Sequence, residues 1–151
     1  MKIIIHCSDS TFGNAILINQ WHKENGWMSK TGISMGYHFD ILNGRITSNK
    51  YNQIYDGLIE VGRPIDEDNH IETWELGAHT RGRNNSIGIC LIGNSGGFTV
   101  AQLEALEALL EELRNLYREL DIEQHSHFDK NKPYCAGLDQ SFIDRLKYKF
   151  S

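Results

Sequence analysis

The 151-residue sequence contains only two prolines and three cysteines. No apolar run approaches the roughly 20 residues that are needed to cross a bilayer. An odd number of cysteines argues against a framework of paired disulfides. The 15 lysines and arginines are outnumbered by 20 aspartates and glutamates, which gives a net charge of -5. A general nucleic-acid binder needs a basic excess, so these features argue against nucleic acid and membrane as partners.

The amino terminus lacks the pattern of a signal peptide. The apolar run at residues 3–5 is too short for the core of a signal sequence, and polar residues follow it at once. We therefore expect cytoplasmic synthesis, with any exit from the cell depending on lysis or a holin-type pore. The length suits a single domain over residues 1–151, and we expect a monomer.

The hydrophobic pattern predicts an α/β fold, a single domain with a central mixed β-sheet flanked by helices. Strands are predicted at residues 2–6, 36–42, 58–61, 86–92 and 122–128. Asn43-Gly44 is a hairpin signal and predicts a returning strand at residues 45–47. Helices are predicted at residues 14–25, 99–120 and 141–150.

Three side chains in this arrangement could hold a metal ion. His6 ends the first predicted strand, His127 ends a late one, and Cys135 lies in a polar loop. Two imidazoles and a thiolate form the three-ligand set of a catalytic zinc, which keeps its fourth position for water. His125 is a rival for His127, because strand alternation puts residues two apart on the same face.

The sequence also resembles a known family through several stretches that occur in the family's order. These are residues 3–8 (IIIHCS), 21–27 (WHKENGW), 36–41 (GYHFDI), 62–64 (GRP), 77–79 (GAH), 84–89 (NNSIGI) and 127–137. The match spans nearly the whole chain. The resemblance is to the zinc-dependent N-acetylmuramoyl-L-alanine amidases, a superfamily that also includes the peptidoglycan recognition proteins.

The resemblance implies one Zn²⁺ ion held by His6, His127 and Cys135. It also implies that Tyr37 stands near the metal-bound water and the scissile carbonyl. A lysine in the last loop would stabilise the oxyanion. Pro133 occupies the family's usual lysine position, so Lys132 is preferred and Lys130 is the alternative. The implied activity is hydrolysis of the amide bond between N-acetylmuramic acid and L-alanine in bacterial peptidoglycan, as in an endolysin.

Two further residues are predicted to contact the peptidoglycan or muropeptide substrate. His79 lies in a glycine-rich loop, and Arg81 could attract the carboxylates of the stem peptide. The alternative function is a non-catalytic muropeptide-binding module of the same superfamily. Such modules lose the cysteine ligand, and the presence of Cys135 favours catalysis.

Overall fold

The computed structural model describes residues 1–26, 36–65, 79 and 85–151. Within these residues, one sheet contains β1 (Lys2–Cys7), β2 (Phe39–Asn43), β3 (Asp56–Val61), β4 (Ile87–Leu91) and β5 (Asp121–Gln124). The strand order is β3-β2-β4-β1-β5, and only the β2–β3 pair is antiparallel. The helices are α1 (Ala15–Glu24), α2 (Val100–Tyr117) and α3 (Gln140–Phe150). The predicted α/β class with a mixed central sheet is confirmed.

One face of the sheet packs against α2 and α3. Ile3 and Ile5 of β1 point to this face and join the leucines of α2 and the apolar side of α3 in the main core. Helix α2 begins with the predicted capping box, in which Thr99 and Gln102 each accept a hydrogen bond from the other's backbone N–H. No helix in the described part of the chain is long and apolar enough to span a membrane.

The opposite face carries α1. Asn14 caps this helix, because its side-chain oxygen accepts a hydrogen bond from the Leu17 N–H (2.9 Å). Ile18 then packs against Leu42 and Cys90 of the sheet. Because side chains alternate along a strand, His6 projects toward the α1 face while its neighbour Ile5 points into the main core.

Two predicted strands differ from the structure. Residues 45–47 do not form the returning strand of a hairpin. Instead, the longer segment 44–55 leads to β3, which pairs with β2 and places Glu60 opposite Asp40. The late strand is shorter than predicted, because β5 ends at Gln124 and residues His125–His127 form a single 3-10 turn. This early end decides which histidine reaches the site.

Candidate metal centre

A row of polar side chains crosses the α1 face of the sheet. His6 of β1 lies in register with Cys90 of β4, which lies in register with Asp40 of β2. Asp40 in turn faces Glu60 of β3. At the other end of the row, the turn after β5 brings the His125 ring to 4.5 Å from the His6 ring, centroid to centroid. The sheet therefore gathers residues that are distant in sequence into one buried layer.

His6, His125 and Cys135 form a buried group whose ligand atoms all lie within 4.8 Å of one another. The Cys135 Sγ lies 3.9 Å from the His6 Nδ1. It also accepts a hydrogen bond from the Cys7 N–H (3.3 Å), and the Cys135 carbonyl accepts one from the Ser126 N–H (2.6 Å). These two bonds hold the cysteine loop against β1 and against the turn that carries His125.

The sequence preferred His127 as the second histidine ligand, whereas the structure groups His125 with His6 and Cys135. The His127 side chain is 59% exposed, and its Nδ1 lies 3.9 Å from a carboxylate oxygen of Glu123. The sequence-based argument assumed a strand, in which residues two apart share a face. A 3-10 turn has three residues per turn, so residues two apart are rotated by about 240° and their side chains point about 120° apart. His125 faces inward and His127 faces solvent.

The electrostatic environment keeps the imidazoles neutral, as metal ligation requires. Burial, together with the neighbouring rings of His79 and His125, holds the pKa of His6 well below its usual value. Burial also lowers the pKa of His125. The hydrogen bond with Cys7, followed by burial, raises the pKa of the Cys135 thiol. A metal ion bound to Cys135 must therefore displace the thiol proton.

His79 lies behind His6 and does not face solvent. Its Nδ1 lies 3.0 Å from the His6 Nε2, and its Nε2 lies 3.0 Å from the Ser86 carbonyl oxygen. The ring is 7% exposed, and burial lowers its pKa to about 3. Gly88 leaves room for this ring, since a Cβ there would lie 2.7 Å from the His79 Cγ. The predicted substrate contact by His79 does not fit this burial, because the ring lies against His6 instead of facing solvent.

The other predicted site residues are placed as follows. The Tyr37 ring lies 5.0 Å from the His6 ring, and its hydroxyl is close enough to the Cys90 thiol to lower the pKa of that thiol against the larger effect of burial. Burial, and then the nearby Cys90, raise the pKa of Tyr37 well above its usual value. Lys132 is exposed, and its charge is among those that lower the pKa of His125. Their catalytic roles stay predictions, and Arg81 lies outside the described residues.

Sequence reasoning did not predict that several other histidines lie close to His6. Four other histidines are close enough to His6 for their charges to lower its pKa: His22, His38, His79 and His125. One signal was available, because His22 follows Ile18 by four residues and so shares the buried face of α1. His38 accepts a hydrogen bond from the Gly88 N–H (3.0 Å), a pairing that no local pattern indicates.

The fold and the buried donor set define a candidate metal-dependent enzyme of the α/β class. The sequence matches the family model described as N-acetylmuramoyl-L-alanine amidase over residues 1–137. The chain therefore belongs to the N-acetylmuramoyl-L-alanine amidase family, and the resemblance predicted from sequence is confirmed.

Named relatives agree with this family. The chain is 35% identical to an endolysin of Klebsiella phage KP32 over 149 residues, covering 91% of this chain and 81% of that protein. It is 32% identical to the endolysin of Escherichia phage T7 over 134 residues, covering 82% and 72%. The solved amidase LysC of Clostridium intestinale URNW superposes with a TM-score of 0.71 at 27% identity, covering 98% and 83%. Drosophila PGRP-LB, at 20% identity and a TM-score of 0.64 with coverage of 96% and 78%, shares the fold.

Proposed function

We propose that this chain is a zinc-dependent amidase that hydrolyses the bond between N-acetylmuramic acid and L-alanine in bacterial peptidoglycan. The observation that carries the proposal is the buried grouping of His6, His125 and Cys135 in a member of an amidase family. The endolysin relatives support a role in degrading the cell wall.

The donor set fits zinc better than a hard cation. Zinc takes imidazole nitrogen and thiolate sulfur at about 2.0–2.3 Å, and a tetrahedral shell then separates ligand atoms by about 3.3–3.6 Å. The distance between His6 Nδ1 and Cys135 Sγ is 3.9 Å, and all three ligand atoms lie within 4.8 Å of one another, so the side chains would move closer together to bind the ion. Three protein ligands leave one position open, which is the arrangement of catalytic sites. When bound, zinc polarises a carbonyl and lowers the pKa of water.

The surrounding residues supply donors for the negative charge that develops on the carbonyl oxygen. Tyr37 keeps its proton throughout the neutral range because burial raises its pKa, so its hydroxyl is available as a hydrogen-bond donor. Lys132 would place an ammonium group near the same oxygen, from the loop between His125 and Cys135. His79 holds the His6 ring in one orientation and fixes which ring nitrogen faces Cys135.

The proposed substrate is polymeric peptidoglycan or a muropeptide, and a monomer suffices because the described site residues come from one chain. Arg81 is proposed to attract stem carboxylates, and Arg81→Ala should raise KM more than it lowers kcat. The non-catalytic binding module is less well supported, because Cys135 is present and buried beside both histidines.

The test compares zinc content and cleavage in the wild type and in two matched variants, His125→Ala and His127→Ala. Zinc is measured by elemental analysis, and cleavage by the release of new amino termini from purified peptidoglycan. We expect one zinc per wild-type chain, loss of zinc and activity in His125→Ala, and near wild-type behaviour in His127→Ala. The two variants remove the same side chain two residues apart, so they separate ligation from loss of a histidine.

Three outcomes would contradict the proposal. Zinc-loaded wild type that leaves peptidoglycan intact, while a known amidase cleaves the same preparation, would refute the activity. Zinc lost in His127→Ala but retained in His125→Ala would refute the ligand set. Binding to peptidoglycan without release of stem peptides would favour the non-catalytic alternative.

A further inference from the structure

His22 lies at the carboxyl-terminal end of α1, on the side that faces the sheet, and is only 6% exposed. Its Nδ1 accepts a hydrogen bond from the Gly36 N–H at 2.8 Å. Because Nδ1 is the acceptor, the neutral ring carries its hydrogen on Nε2. The imidazole thus ties α1 to the residue immediately before Tyr37.

The same ring also packs against Tyr37 itself. The centroids of the two rings are 5.2 Å apart with an interplanar angle of 60°, an edge-to-face contact. The Tyr37 ring lies between the His22 ring and the His6 ring. Its centroid is 5.0 Å from the centroid of the His6 ring. His22 therefore touches both the side chain of Tyr37 and the peptide that precedes it.

Backbone pairing holds Tyr37 on its other side. Strand β2 begins only at Phe39, and the Tyr37 carbonyl accepts a hydrogen bond from the Arg63 N–H (2.8 Å). The next hydrogen bond joins the His38 N–H to the Gly88 carbonyl (2.9 Å). The Gly36–His22 hydrogen bond and the His22–Tyr37 ring contact join this segment to α1.

We propose that His22 is a positioning residue, which fixes the Tyr37 hydroxyl relative to the metal centre through the Gly36 hydrogen bond and the ring contact. This inference rests on the proposed function, in which Tyr37 donates a hydrogen bond to the reacting carbonyl. Since a misplacement of about 1 Å can reduce a rate on the order of 100-fold, loss of the tether should act mainly on kcat.

Two substitutions separate the parts of this role. His22→Asn keeps an acceptor oxygen near the position of Nδ1 but removes the ring. His22→Phe keeps an aromatic ring but removes the acceptor. The neighbouring Lys23 is exposed on the same helix, so Lys23→Asn and Lys23→Phe control for the effect of each new residue on α1.

Three measurements test the role: kcat and KM on a soluble muropeptide, bound zinc, and hydrogen exchange of the Gly36 amide. For His22→Phe we expect about a 10–100-fold loss of kcat, with KM and zinc within twofold of Lys23→Phe, and a faster-exchanging Gly36 amide. His22→Asn should restore both protection of Gly36 and most of kcat. On a Tyr37→Phe background, His22→Phe should cost little more, because both changes remove one function.

Specific results would overturn the inference. An unchanged kcat in His22→Phe would refute the positioning role, and an unprotected Gly36 amide in the wild type would refute the hydrogen bond. Loss of zinc in His22→Phe would place the effect at the metal centre instead of at Tyr37. Full additivity with Tyr37→Phe would also refute the role. An inactive wild type refutes the proposed function and this role together, whereas an active wild type with unaffected His22 variants refutes only the role.

Discussion

The change in fold stability on replacing Asp40 can be predicted from the structure. The Asp40 side chain is fully buried in the middle of the α1 face, and neither carboxylate oxygen has a hydrogen-bond partner in the described part of the chain. Glu60 faces it across the β2–β3 pair. Burial, followed by the charge of Glu60, raises the pKa of Asp40 well above its usual value. We predict that Asp40→Val stabilises the fold.

The expected gain comes from removing a desolvated acceptor group. Leaving a buried polar group unsatisfied costs about 1–3 kcal/mol, and valine is an apolar, β-favouring residue of slightly larger volume. At about 2–4 °C per kcal/mol for a chain of this size, the melting temperature should rise by about 2–12 °C. Overpacking by the second methyl group would reduce this gain.

The gain should also depend on pH, and its sign follows from proton linkage. Since the folded pKa lies above the unfolded value of about 3.9, the folded wild type binds more protons than the unfolded chain between these two values. The stability that proton binding by Asp40 gives the folded state is fully present below the unfolded pKa. It is lost as pH rises through the folded pKa. The advantage of Asp40→Val over the wild type should therefore grow as pH increases.

The assay is denaturant unfolding of zinc-loaded wild type, Asp40→Val and Asp40→Asn between pH 5 and pH 8. Asp40→Asn is the matched control, because it keeps the shape and polarity but cannot ionise. It should flatten the pH dependence without the full gain in stability. If Asp40→Val is less stable than the wild type at pH 8 and the difference does not vary with pH, the carboxyl group has a stabilising partner and the reasoning is wrong.

Two further predictions concern residues that support the candidate metal centre. His79→Ala should weaken zinc affinity by about 10–100-fold in a chelator competition assay, because it removes the partner that orients His6; unchanged affinity would contradict this orienting role. Gly137→Ala should cost more than about 1 kcal/mol in denaturant unfolding, since Gly137 has φ +86° and a Cβ there would lie 2.5 Å from the Ser95 Cα; wild-type stability would mean that these two loops separate freely.

The sequence by itself was sufficient for features that depend on local patterns. The three-isoleucine run predicted β1, and the apolar run around Ile89 predicted a central strand buried on both faces. The box formed by Thr99 and Gln102 marked the start of α2. The ordered motifs predicted the family, which the match over residues 1–137 confirmed. They also directed attention to His6 and Cys135, which the structure brings together.

The tertiary structure decided what depends on contacts between distant segments. Asn43-Gly44 has the local chemistry of a tight hairpin, but the partner of β2 begins at residue 56, since strand pairing is settled by burial across the sheet. The position of His125, rather than His127, beside His6 and Cys135 follows from where β5 stops pairing with β1 and the backbone turns. The residues at the Asn43-Gly44 turn and at the end of β5 do not by themselves encode where each strand pairing begins or ends. Side-chain direction depends on backbone conformation, and in this chain that conformation is fixed by neighbours more than 100 residues away in sequence.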